Sequence, residues 1–301
     1  MGSVKIVKKE YRGWENCIEI SNGIIDIIAT TDVGLRIIRF GFTGKENEFC
    51  EVEGQVGTTG GDEWKIYGGH RLWHSPEYKP RSYEPDNSKI DYREKENGIV
   101  LSQPVEPWAQ IKKEIEVTIS PCKPEVYLLH RLVNKGAWPV KLAAWALTVM
   151  APGGLEIIPL VKKDTGLLPN SMISLWPYTR LNDSRVYWGE KYIMLRHDSN
   201  ARGPFKIGLP NEDGWAAYAN HGHLFVKKYN HIDGATYPDF GASFETYTCD
   251  FMTEIESLSP MIELEPGKSI EHRETWILHD NVKVPETEDD IDRIILPLAK
   301  G

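Results

Sequence analysis

Residues 17–31 read Cys17-Ile18-Glu19-Ile20-Ser21-Asn22-Gly23-Ile24-Ile25-Asp26-Ile27-Ile28-Ala29-Thr30-Thr31, and this stretch decides the fold class. Isoleucines return at short intervals on both sides of a Ser-Asn-Gly turn, so the segment spells strand, turn, strand. The β-branched side chains favour extended backbone, and Asn-Gly tolerates the left-handed conformation of a tight reversal. The same period of two recurs along the chain, in residues 34–42, 99–104, 110–120, 126–136, 140–150, 215–230, 246–259 and 269–278. Lys135-Gly136-Ala137-Trp138-Pro139 reads as a hairpin connection between two of them. This is the pattern of an antiparallel all-β protein.

One segment is helical in character. Thr287 can cap, Asp290 follows three residues later, and acids crowd the first turn. Ile291, Ile294 and Ile295 then share a face, so a short helix over 287–296 is expected, ended by Pro297. Residues 54–90 and 151–190 lack a clear period and are rich in Gly, Pro and aromatic rings. Long irregular segments in a compact domain are usually functional.

The bulk composition narrows the function. A length of 301 residues fits one β domain, and no linker or repeat divides residues 1–301. A net charge of −9 argues against nucleic acid or an anionic membrane as partner. No apolar run reaches membrane-spanning length, and the basic N-terminus has no apolar stretch behind it, so a cytoplasmic protein is expected. Cys17, Cys50, Cys122 and Cys249 lie far apart and read as free thiols. His221-Gly222-His223 has metal-ligand spacing, but Lys227 and Lys228 stand where a further ligand would be needed. Neither a metal nor a cofactor is expected.

Two constellations remain. Tyr67-Gly68-Gly69-His70-Arg71-Leu72-Trp73-His74-Ser75-Pro76-Glu77 gathers imidazoles, a guanidinium, rings and a carboxylate in what reads as one loop. A sugar offers apolar C–H faces beside directed hydroxyls, so its site needs rings to stack on and polar groups to read hydroxyls. Trp176, in the second irregular segment, is another such ring. The other constellation is Thr253-Glu254-Ile255-Glu256, a strand whose two glutamates face one side. Paired carboxylates can supply general acid–base chemistry.

The C-terminal third carries a resemblance. Phe251 to Glu256, the Leu264-Glu265-Pro266-Gly267-Lys268-Ser269 turn, and His272 with Thr275-Trp276 resemble the last strands of aldose 1-epimerases. Leu132-Val133-Asn134-Lys135-Gly136, Gly34 to Phe40, and the Gly68-Gly69 pair resemble earlier motifs of that family in the same order. The loop from Gly68 to Glu77 looks most like an uncharacterised bacterial branch of the galactose mutarotase-like superfamily. The resemblance implies an antiparallel β-supersandwich of the galactose-mutarotase type and a small carbohydrate as ligand. It also implies Glu254 as the base at the anomeric centre. The family's histidine acid is absent from Ala146 to Ala151, which leaves His70 or His74 as the expected acid, with Arg71, Trp73, Glu77, Asp239 and Trp176 binding substrate. A mutarotase-like isomerase is the first expectation, acting as monomer or homodimer. A non-catalytic sugar-binding protein is the second. A glycosidase or lyase pairing Glu254 with Glu77 or Asp239 is the third.

Overall fold

The computed structural model describes residues 3–301. Antiparallel strands form an eleven-stranded and a ten-stranded sheet. The first runs in the order Lys5–Tyr11, Trp14–Ser21, Ile25–Thr30, Arg36–Phe42, Gly69–Ser75, Val140–Met150, Thr253–Leu258, Phe244–Thr248, Phe205–Leu209 and Ser174–Leu175, with Ile262–Leu264 also pairing to Val140–Met150. The second is centred on Leu155–Pro159, Trp215–Asn220, His223–Tyr229, Ser269–His279, Glu125–Asn134 and Ile111–Ile119. The opening stretch behaves as its pattern requires. Asn22 stands in the turn, its Oδ1 accepting from the amides of Ile24 and Ile25 at 2.9 and 3.0 Å.

The two sheets face each other across one apolar layer. Ile27, Ile37, Phe40 and Leu72 from the first meet Ile115, Leu128, Phe225 and Trp276 from the second. Phe40, Phe49, Phe225 and Trp276 form a ring cluster with centroids 5.3 to 6.0 Å apart. Each such buried side chain contributes about 1.5–3 kcal/mol relative to exposure.

Several sequence expectations change here. The expected hairpin at Lys135–Pro139 is a corner, because Glu125–Asn134 lies in the second sheet and Val140–Met150 in the first. Asn134 holds the corner by donating to the Trp138 and Leu264 carbonyls, both at 2.8 Å. Residues 215–230 are two strands rather than one, and residues 246–259 likewise divide between the paired strands Phe244–Thr248 and Thr253–Leu258. His221 and Gly222 have φ of 55° and 79°, the signature of a two-residue hairpin turn, so His221 and His223 do not share a strand face. The C-terminal helix begins at the Thr287 cap, whose side chain accepts from the Asp290 amide, but runs on to Lys300. A widened π turn over Ile291–Ile295 precedes Pro297, which then sits at the start of a new α turn, where a proline needs no amide partner. Finally, the presumed loop around His70 is the strand Gly69–Ser75.

Candidate functional site

The site lies on the outer face of the first sheet. Strand register sets its floor in rows: Gly69, Val149, Glu254, Tyr247 and Lys206 in one, and Arg71, Leu147, Glu256, Glu245 and Gly208 in the next. A third row places Trp73 beside Trp145. Since neighbours along a strand alternate in direction, all of these project to the same side. Trp64, Tyr83, Trp176 and Tyr178 come from the irregular segments and wall a cleft of about 340 Å³.

Gly68 and Gly69 explain how the Arg71 strand enters the sheet. Both have positive φ, and a Cβ on either would come within 2.0 and 2.2 Å of the Cys50 and Ile37 carbonyl oxygens. The double glycine is a packing requirement of this entry.

Arg71 and Glu254 form an ion pair at 2.8 Å, with side chains only 2% and 8% exposed. The guanidinium stacks on Trp73 at 4.6 Å and Trp64 at 5.4 Å. Across the cleft, the Lys206 ammonium is 2.8 Å from Glu245 and 3.1 Å from Glu256, and 4.6 and 4.8 Å from the Trp145 and Trp176 ring centres. Glu256 also accepts from the Trp145 indole at 2.8 Å. Burial works against charge on Lys206, but its two carboxylates outweigh it and hold the ammonium well above the ordinary lysine range. Burial pushes Glu245 and Glu256 upward, with added repulsion from Glu256 at the first and from Glu254 at the second. Glu77, at the rim, accepts from the Tyr83 hydroxyl.

Of the residues expected from sequence, Glu254, Arg71, Trp73, Glu77 and Trp176 meet at this cleft. His70, His74 and Asp239 do not line it. In Gly69–Ser75 the side chains alternate, so Arg71 and Trp73 face the cleft while His70, Leu72 and His74 face the interior. His74 pairs with Glu106 at 3.3 Å, and Glu106 also pairs with Lys113. Asp239 sits in the turn before Phe244–Thr248, its carbonyl bonded to Ser174, near enough to raise Glu245 but outside the cleft.

His70 belongs to a buried polar network beneath the cleft floor. Lys227 is wholly buried and reaches the Ala146 and Ile255 carbonyls at 2.9 Å, Thr148 Oγ1 at 3.0 Å and Glu274 at 2.8 Å. Thr148 therefore has its hydroxyl proton free for His70 Nδ1, 2.9 Å away. His70 Nε2 then donates to His130 Nε2 at 2.7 Å, and His130 Nδ1 donates to the His272 carbonyl at 3.1 Å. Burial holds His70 and His130 neutral and pushes His272 down to about 3. His70, His130 and Glu274 have ligand atoms within 4.8 Å of one another, as a metal site would. The geometry is poor for a cation: the imidazole nitrogens bond each other, Glu274 accepts from Ser257 and Trp276, and an ammonium touches the carboxylate.

No protein-family model and no curated protein matches this chain. Solved structures do. A putative aldose 1-epimerase from Escherichia coli K12 is 8% identical, with a TM-score of 0.52 over 92% of this chain and 99% of its own. A galactose mutarotase-like protein from Clostridium acetobutylicum is 10% identical, with a TM-score of 0.55 over 92% and 99%. The fold is the galactose-mutarotase fold. It also matches a TPR-domain containing protein from Parabacteroides distasonis, 14% identical with a TM-score of 0.56 over 92% of this chain, which spans half the length of that one. Identities this low carry the fold alone.

Within this galactose-mutarotase fold, Lys206, Tyr247, Trp145, Tyr178 and Tyr83 are cleft residues that the sequence did not single out as site residues. Lys206 had one available signal. It is the lone charge in Phe205-Lys206-Ile207-Gly208-Leu209, a strand otherwise wholly apolar and buried.

Proposed function

We propose that the cleft binds a monosaccharide or a small sugar derivative and interconverts its anomers, with Glu254 as the base that removes the anomeric proton. The observation that carries this reading is the Arg71–Glu254 pair, buried at 2.8 Å within a cleft walled by aromatic rings. Trp and Tyr faces suit the C–H faces of a sugar, and a volume near 340 Å³ suits a small ligand. Arg71 balances the charge of the buried Glu254 carboxylate. It also fixes the carboxylate in one orientation, which a positioned base requires.

The test is Glu254→Gln. The amide keeps the size of the carboxylate and cannot take the proton. Exchange between α and β anomers, followed by NMR or polarimetry over a panel of aldoses, is expected to fall by about 10²- to 10⁴-fold. Sugar binding is expected to survive. Wild-type protein that binds a sugar yet leaves its anomers exchanging at the buffer rate would favour the second reading, a binding protein. The specific support for that second reading is that His70 and His74 both point away from the cleft.

A further inference from the structure

Opening a sugar ring needs an acid as well as a base, and the two histidines expected to serve face the interior. The cleft lining among the described residues contains no histidine, and its two cations are Arg71 and Lys206. Arg71 is committed to Glu254, and a guanidinium does not give up its proton. Resting on the anomer-interconversion reading, we infer that Lys206 is the catalytic acid, whose ammonium protonates the ring oxygen as the ring opens.

The geometry supports the assignment in three ways. Lys206 stands in the same row of the floor as Glu254, with Tyr247 on the strand between them, so the two residues line one cleft from strands two apart. Its ammonium sits against the Trp145 and Trp176 rings, both of which line the cleft. Its ammonium donates to Glu256 at 3.1 Å and lies 2.8 Å from a Glu245 carboxylate oxygen, which fixes the nitrogen and leaves N–H capacity for the ligand.

The chemistry balances without a cofactor. Glu254 takes the proton of the anomeric hydroxyl, the C1–O1 bond becomes a carbonyl, and the C1–O5 electron pair moves onto O5. Lys206 delivers its proton to O5, which in becoming an alkoxide is more basic than an amine. Rotation about C1–C2 presents the other face of the carbonyl. On closure O5 attacks C1, its proton returns to Lys206, and O1 recovers the proton held by Glu254.

A lysine acid has a distinct pH signature. The charged and titratable groups nearest the ammonium are Glu245, Glu256 and Glu77, with Tyr83 and Tyr178 also facing it and Arg71, Glu254 and Tyr247 lining the same cleft. The three carboxylates favour the charged form, so Lys206 stays protonated across the neutral range. A histidine acid would lose its proton near pH 6.5 and the rate would fall above it. With Lys206, the background-corrected rate should hold level on the alkaline side to about pH 9.

The experiment uses the full chain with glucose, galactose and xylose, each started as a pure anomer. Lys206→Met is expected to lower kcat by about 10²- to 10⁴-fold while leaving the sugar Kd within a few-fold. Because that change strands two buried carboxyls, Lys206→Met/Glu256→Gln provides a second variant that relieves the repulsion. Both are checked for wild-type unfolding behaviour. Wild-type rates in a folded Lys206 variant overturn the assignment and leave the Glu254 reading intact, as does a wild-type profile that falls through pH 6.5. A wild-type protein that accelerates none of the sugars overturns the assignment together with the reading beneath it.

Discussion

Glu106→Gln tests whether His74 belongs to a structural ion cluster rather than to the cleft. Glu106 is 5% exposed and lies between Lys113 and His74. Burial alone would raise its carboxyl, but Lys113 and then His74 prevail and hold it at about 2, against an ordinary 4.5. The folded-state value is depressed, so the stability it contributes is present above the unfolded value and is lost as pH falls from about 4.5 to about 2. The shift is worth about 3 kcal/mol at pH 7, and about 2 kcal/mol remains at pH 3.5. Glutamine cannot ionise, so this contribution disappears in the variant at every pH. The wild-type advantage, measured by urea unfolding of both proteins, should therefore shrink by about 1 kcal/mol between pH 7 and pH 3.5. Loss of packing or of a neutral hydrogen bond would add an offset with no such slope. A difference that stays constant with pH would falsify the reading of Glu106 as a carboxylate held ionised by this cluster.

Two further outcomes concern the network beneath the floor. Lys227→Met leaves Glu274 charged, buried and unpaired, and should cost about 3–5 kcal/mol in denaturant unfolding. Adding Glu274→Gln should recover much of that loss, and a double variant no better than the single would contradict the pairing. His70→Asn removes a bond partner from Thr148 and His130 and should cost about 1–3 kcal/mol. Anomer exchange by the folded variant should match wild type, and a large drop would return His70 to the chemistry.

The strand pattern from Cys17 to Thr31, the turn at Asn22-Gly23 and the Thr287 cap were legible because each is a local matter of backbone preference and nearby hydrogen bonds. The pairing of Glu254 with Glu256 on one strand face was legible for the same reason. Gly69–Ser75 shows where local reading stopped. Its glycines, proline neighbour and mixed polarity look like a loop, since the strand is buried on both faces and His70 and Arg71 find their partners, His130 and Glu254, far along the chain. Taken as a strand, simple alternation would have separated Arg71 and Trp73 from His70 and His74.

The chain's own periodicity thus determined an antiparallel β protein with carboxylates on one strand and rings in its irregular segments. Only the tertiary structure decided which face of Gly69–Ser75 meets Glu254, because that depends on pairing with Val140–Met150, some seventy residues away. It also brought Lys206 into the floor beside Tyr247 and gave its ammonium two buried carboxylates. A buried charge is tolerable only where opposite charges surround it, and the strand that supplies Lys206 becomes a neighbour of the hairpin that supplies Glu245 and Glu256 only when the sheet is assembled.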